Sequence, residues 1–132
     1  MTGSLVAGIW DDLFEQVGDD LRVVTRYKPT EFDTKMRDDV RAKYTCEEDR
    51  IVVDDTIVKQ LGLDDTEEAF KTGDLHALVR VFDDAWILSW TDDLPKKSGL
   101  MISIQRDGAT ASMDDLEWCI QYLDTEIALL VD

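Results

Sequence analysis

Few side chains in this chain are of a type that could do chemistry, and their spacing is poor for it. His76 is the only histidine in the sequence. A metal centre or a nucleophile–base pair built on it would need a second histidine or clustered cysteines at ligand spacing. The two cysteines, Cys46 and Cys119, lie far apart and belong to no CxxC pair. They read as reduced thiols in a cytoplasmic protein, Cys119 as a small hydrophobe on a helical stripe. Cys46 falls at a helix N-terminus, where a thiol pKa can drop, yet no histidine stands at motif spacing from it. Asp-Asp pairs recur at 11–12, 19–20, 38–39, 54–55, 64–65, 83–84, 92–93 and 114–115. Carboxylate pairs can serve acid–base work or bind a hard cation. Here they mark most turns and helix starts, where solvation and capping explain them. No glycine-rich phosphate loop, dinucleotide fingerprint or nucleophile elbow occurs. The residues therefore predict no catalytic site, no metal and no cofactor: a non-enzymatic protein.

Two residues nevertheless suggest a small-molecule pocket. His76 and Arg80 alternate onto one face of a strand over 75–82. For each, a structural hydrogen bond or a salt bridge to a helix carboxylate is the simpler reading.

The elements that must position these residues follow from periodicity. Residues 75–82 and 85–91 form a hairpin about Asp83-Asp84, and 100–105 adds a third strand. One face of this meander collects Leu75, Ala77, Val79, Val81, Trp86, Leu88, Trp90, Leu100, Ile102 and Ile104. The other is mixed, with His76, Leu78, Arg80, Phe82, Ile87, Ser89, Met101 and Ser103. A one-residue slip would expose the whole apolar set, so the register is firm. Breakers crowd the loop 92–99.

Upstream, Val6, Ile9, Trp10, Leu13 and Val17 make a helical stripe that Ser4 can cap and Gly18 can end. Residues 21–27 read as a strand, and 31–37 as an edge strand with Phe32, Thr34 and Met36 on one face. Thr45 and Glu48 form a capping box for a middle helix bearing Ile51, Val52, Ile57, Val58 and Leu61. A short helix over 66–70 and a last helix from Ser112 complete the chain. The last helix carries Leu116, Cys119, Ile120, Leu123, Ile127 and Leu130 at helical spacing. The order α-β-β-α-β-β-β-α predicts an α+β fold with a five-stranded, mostly antiparallel sheet. The first and last helices should cover its apolar face and the middle helix the other. At 132 residues this is a single domain, 1–132, with a real core.

The segments YKPTEFDTKMRDDV (27–40) and LHALVRVFDDA (75–85), within an acidic chain, resemble a family of small haloarchaeal proteins. The resemblance runs from about Leu21 into the last helix and carries no catalytic residues with it. In topology the element order also resembles roadblock/dynein-light-chain, longin and profilin-like domains. Roadblock-type domains dimerise through the middle helix and a neighbouring strand and scaffold GTPases and regulators. That resemblance implies a homodimer with a further protein partner, meeting here through 45–61 and 75–82. Ile51 and Val58 on the middle helix, and Trp118 off the main stripe of the last helix, are the expected interaction residues.

Lys plus Arg number 14 against 30 Asp plus Glu, a net charge of −16 that argues against nucleic acid and anionic membranes as partners. No apolar run reaches the roughly 20 residues of a membrane span, and the first residues lack a signal-peptide pattern. These features predict a cytoplasmic protein. Spread evenly, the acidic residues read as a halophile's solvated coat, and the expected role is a regulatory interaction domain, with a small-molecule sensor as the alternative.

Such a coat makes stability salt-dependent. Cations screen carboxylate repulsion, and the Debye length falls from about 10 Å at 0.1 M salt to about 3 Å at 1 M. The melting temperature by circular dichroism should rise steeply across that range. A flat series would remove the halophilic reading.

Overall fold

The computed structural model describes residues 2–91 and 98–130. Helix α1 (Thr2–Val17) leads through a 3-10 turn (Gly18–Asp20) into β1 (Leu21–Tyr27) and β2 (Phe32–Met36). Short α2 (Asp38–Arg41), α3 (Cys46–Gln60) and α4 (Leu63–Phe70) follow. Then come β3 (Ala77–Val81), β4 (Ala85–Thr91), β5 (Gly99–Gln105) and α5 (Met113–Tyr122), which continues as a π turn over Leu123–Ile127. The five strands form one sheet in the order β2-β1-β5-β4-β3, with every ladder antiparallel.

The meander keeps the register its alternation dictates. Ala77 pairs with Trp90, Val79 with Leu88 and Val81 with Trp86; Leu88 in turn pairs with Ile102. Leu88, Leu100, Ile102 and Ile104 are fully buried. They meet Val6, Ile9, Leu13 and Val17 of α1 and Leu116, Cys119, Leu123 and Ile127 from the C-terminal helix in one core. Gln16 of α1 donates to Asp115 of α5 at 2.8 Å, fastening the two covering helices to each other.

The other face is covered by α3. Its Thr45–Glu48 capping box forms as the sequence expects, satisfying two backbone donors that would otherwise lack partners. Gly18, at φ +60°, stops α1 in the left-handed conformation that glycine adopts without strain. Gly99 is required for space, because a Cβ there would collide with the Trp90 carbonyl and the Tyr27 ring.

Four expectations need correction. The first helix starts at Thr2, so Ser4 lies within it and not at its start. Strand β3 begins only at Ala77, leaving Leu75 and His76 outside the ladder, where the Leu75 amide donates instead to Glu67. Helix α4 opens at Leu63, whose side chain is buried, not at Thr66. Leu130 is exposed despite its spacing, because the π turn takes five residues per hydrogen-bonded ring and rotates the final residues off the core stripe. Of the breaker-rich loop, 92–97 lies outside the described residues.

Central and edge strands should differ in sensitivity. Ile102→Ala removes a fully buried side chain of the middle strand and should cost about 2–5 kcal/mol. Val79→Ala, on the half-covered edge strand β3, should cost less. Urea denaturation measures both, and equal losses would overturn this ranking of the strands.

Candidate functional site

Helix α3 does not seal the face it covers. Its inward positions are Asp49, Val53, Thr56 and Gln60, spaced four, three and four residues apart. Only Val53 of these is apolar, and it meets Tyr27 and Met101 in a small second cluster. Val52 and Ile57 of α3, with Phe32 and Ile87 of the sheet, pack against that cluster partly buried, and polar contacts complete the seam. Tyr27 donates its hydroxyl to Gln60 Oε1 at 2.7 Å, and Gln60 Nε2 donates to the Ser98 carbonyl at 3.2 Å. Thr56 donates to the Val52 carbonyl at 2.9 Å and lies 3.4 Å from the Met101 sulfur. Asp49 pairs with Arg41 beside α2, and Asp55 with Arg80 on β3, each at 2.9 Å.

Beyond this seam, sheet and helix diverge around a cleft of about 650 Å³. Val23, Phe32, Met36, Val52, Ile87 and Met101 supply its apolar lining. Arg22, Thr25, Thr34, Arg80 and Ser103 supply polar groups. The Thr25 and Thr34 hydroxyls satisfy each other at 2.7 Å across the β1–β2 ladder. Arg22 donates from Nε to Ser103 Oγ at 3.3 Å and from Nη1 to Gln105 Oε1 at 3.2 Å. Asp83 and Asp84 stand on the rim, both exposed.

The electrostatics are those of ion pairing. Hydrogen bonding from Arg37 holds the Asp39 carboxyl well below its usual range, at about 2. Asp55 is lowered as well, first by its hydrogen bond from Arg80 and then by Lys59 and Arg80 charge. Burial pushes the Cys119 thiol up to about 12, which keeps it protonated and inert. Among the described residues no group of three or more His, Cys, Asp or Glu side chains could hold a metal ion.

The residues singled out by sequence separate into distinct places. Arg80 lines the cleft and makes the salt bridge to a helix carboxylate. His76 does not join it. Lying before β3 begins, it turns to the opposite layer, where Nδ1 sits 2.9 Å from Asp124. Asp124 also accepts from Trp90 Nε1 at 2.8 Å, so this is a structural tie between the sheet edge and the C-terminal helix. Ile51 and Val58 of α3 are 66% and 61% exposed, with Leu61 at 55%, and Ile51 also lines the cleft. Trp118 is half-buried on the other layer, stacked on Tyr122 with centroids 5.3 Å apart. It shares no surface with α3.

Sequence reasoning missed Arg22, which it took only as part of the strand over 21–27. The signal for it lies in the ladder. Leu21 pairs with Ile104 but Val23 with Ser103, so a bulge falls between them and sets Arg22 and Val23 on the same side. The alternation of a regular strand hides such a feature.

No curated protein matches the chain. Among the described residues no helix is long and apolar enough to cross a membrane. The family described as "Domain of unknown function (DUF7522)" matches residues 8–126, which takes in every strand and the cleft between sheet and α3. The chain is a member of the DUF7522 family.

Proposed function

We propose that this domain is a binding module that takes a small organic molecule between its sheet and α3. The observation that carries the reading is the cleft itself. Its volume, about 650 Å³, lies within the range of small-molecule sites, roughly 300–1,000 Å³. Its lining has the composition of such sites, an apolar body with a few oriented polar groups. Those groups are arginines, hydroxyls and ion-paired carboxylates, which bind and orient a ligand. The evenly spread acidic coat supports a setting of high salt, in which the apolar cleft gains affinity for its ligand as salt excludes itself from apolar surface.

A neutral apolar fluorophore, N-phenyl-1-naphthylamine, tests the cleft without presupposing charge. Its emission should rise on binding the protein. Ile87→Trp fills the cleft from its floor and should abolish the rise while leaving the melting temperature close to the parent's. A parent that leaves the dye dark, or a variant that binds it equally, would sink the reading.

Self-association through α3 is a second reading, favoured by a separate observation. Val58 and Leu61, with Ile51 beside the cleft, form an exposed apolar stripe on α3 that nothing among the described residues covers. A second copy of the chain is its simplest occupant, since an isologous contact needs only one such patch. Sedimentation in molar salt should show dimers that Val58→Glu converts to monomers. Monomers alone at all micromolar concentrations would remove this reading.

A further inference from the structure

We infer that the cleft is built for an amphipathic organic anion, with the acid group on Arg22 and the apolar body along the sheet. This rests on the binding reading above and adds the class of ligand.

The first support is how Arg22 is held. Four other arginines, Arg37, Arg41, Arg50 and Arg80, each pair with a carboxylate. Arg22 does not. Its two acceptors, Ser103 Oγ and Gln105 Oε1, are neutral, and no carboxylate among the described residues stands within ion-pair distance. In a chain with 30 acidic residues against 14 basic ones, a partly buried guanidinium without a carboxylate is a departure from the pattern. The two neutral acceptors fix the plane of the guanidinium and leave its charge uncompensated. A planar, oriented fork of this kind is suited to a carboxylate.

The second support is the bulge. The register shift between Leu21 and Val23 places Arg22 and its neighbour Val23 together in the cleft. A regular strand would send adjacent residues to opposite faces. Bulges re-aim side chains in this way beside functional sites. Here the result joins a cation to an apolar floor. Val23, Met36, Ile87 and Met101 continue from Arg22 across the sheet, with Val52 of α3 opposite.

Four carboxylates also line the cleft, and they do not reverse its preference. Asp49 and Asp55 are neutralised by Arg41 and Arg80. Asp83 and Asp84 are exposed in the hairpin turn, where water and salt screen them. Arg22 is the cation of the cleft lining that no carboxylate among the described residues pairs.

The experiment compares three ligands of one chain length, each below its micelle concentration, in displacing N-phenyl-1-naphthylamine from the parent protein. They are decanoate, decanol and decylammonium. Decanoate should displace the dye at a concentration about tenfold or more below that of decanol, the scale of one charge-assisted hydrogen-bonded contact. Decylammonium should be the weakest. Arg22→Gln should erase the advantage of decanoate over decanol, the two being compared on the same variant. Equal displacement by decanoate and decanol, or preference for decylammonium, overturns the anion inference and leaves the binding reading standing. A retained decanoate preference in Arg22→Gln overturns the assignment to Arg22. A parent that never binds the dye overturns the binding reading and this inference with it. The parent comparison decides the ligand class even if Arg22→Gln fails to fold.

Discussion

The two sides of β5 set the terms for the rest of the molecule. This strand sits at the centre of the sheet, paired with β1 on one side and β4 on the other. Its period of two sends Leu100, Ile102 and Ile104 to one face and Gly99, Met101 and Ser103 to the other. The first set is fully buried and fixes where α1 and α5 must lie. The second set is small or flexible and cannot fill the space beneath a helix. A helix over that face must therefore bridge a gap or leave one. Helix α3 does both, closing at Met101 and Tyr27 and opening beside Ser103.

The two layers are consequently held by different forces. The α1–α5 layer rests on apolar burial, which is non-directional and tolerates small shifts. The α3 layer rests on directional bonds, Tyr27–Gln60, Arg41–Asp49 and Asp55–Arg80, with a smaller apolar cluster around Val53, Tyr27 and Met101. Every polar group that α3 turns inward has a partner, which is why a stripe of Asp49, Thr56 and Gln60 can be buried at all. A layer with few buried apolar contacts belongs to the low-stability end of a fold, the end from which ligand-binding elements are drawn.

Much of the frame was legible in the sequence because one physical rule governed it. Alternation over 75–91 gave the hairpin pairs and sorted 100–105 by face, since a slip would have exposed Leu88 and Ile102 together. Helical spacing gave α1 and α5 for the same reason. The rule failed where polarity and burial part company. The sequence marked the apolar residues of α3, Ile51, Val58 and Leu61 among them, and these lie exposed, while the helix buries a polar stripe whose member Gln60 finds its partners Tyr27 and Ser98 33 and 38 residues away. Long-range hydrogen bonding leaves no local period to read. His76 was misplaced by strand length alone, because the ladder begins one residue too late to hold it on the mixed face. Arg22 was missed because a bulge is an exception to alternation.

Charge acts on the two layers with opposite signs. The acidic coat destabilises any compact state by self-repulsion, and salt relieves this for the whole chain. The ties of α3 include attractive pairs, and the same salt weakens the exposed ones. Asp55–Arg80 is such a pair, with Asp55 47% exposed, so screening takes from the α3 layer part of what it gives to the core. Acid acts on that tie in one direction only. The carboxyl pKa of Asp55 is lowered on folding, so its contribution is present above the ordinary carboxylate value, near 4, and is lost as pH falls through the lower folded value. The apolar layer contains no such pair among its buried residues and feels neither effect directly. Salt and acid thus change the hold of α3 over the cleft relative to the core beneath it, and a ligand anion on Arg22 would add an attraction on the cleft side of that balance.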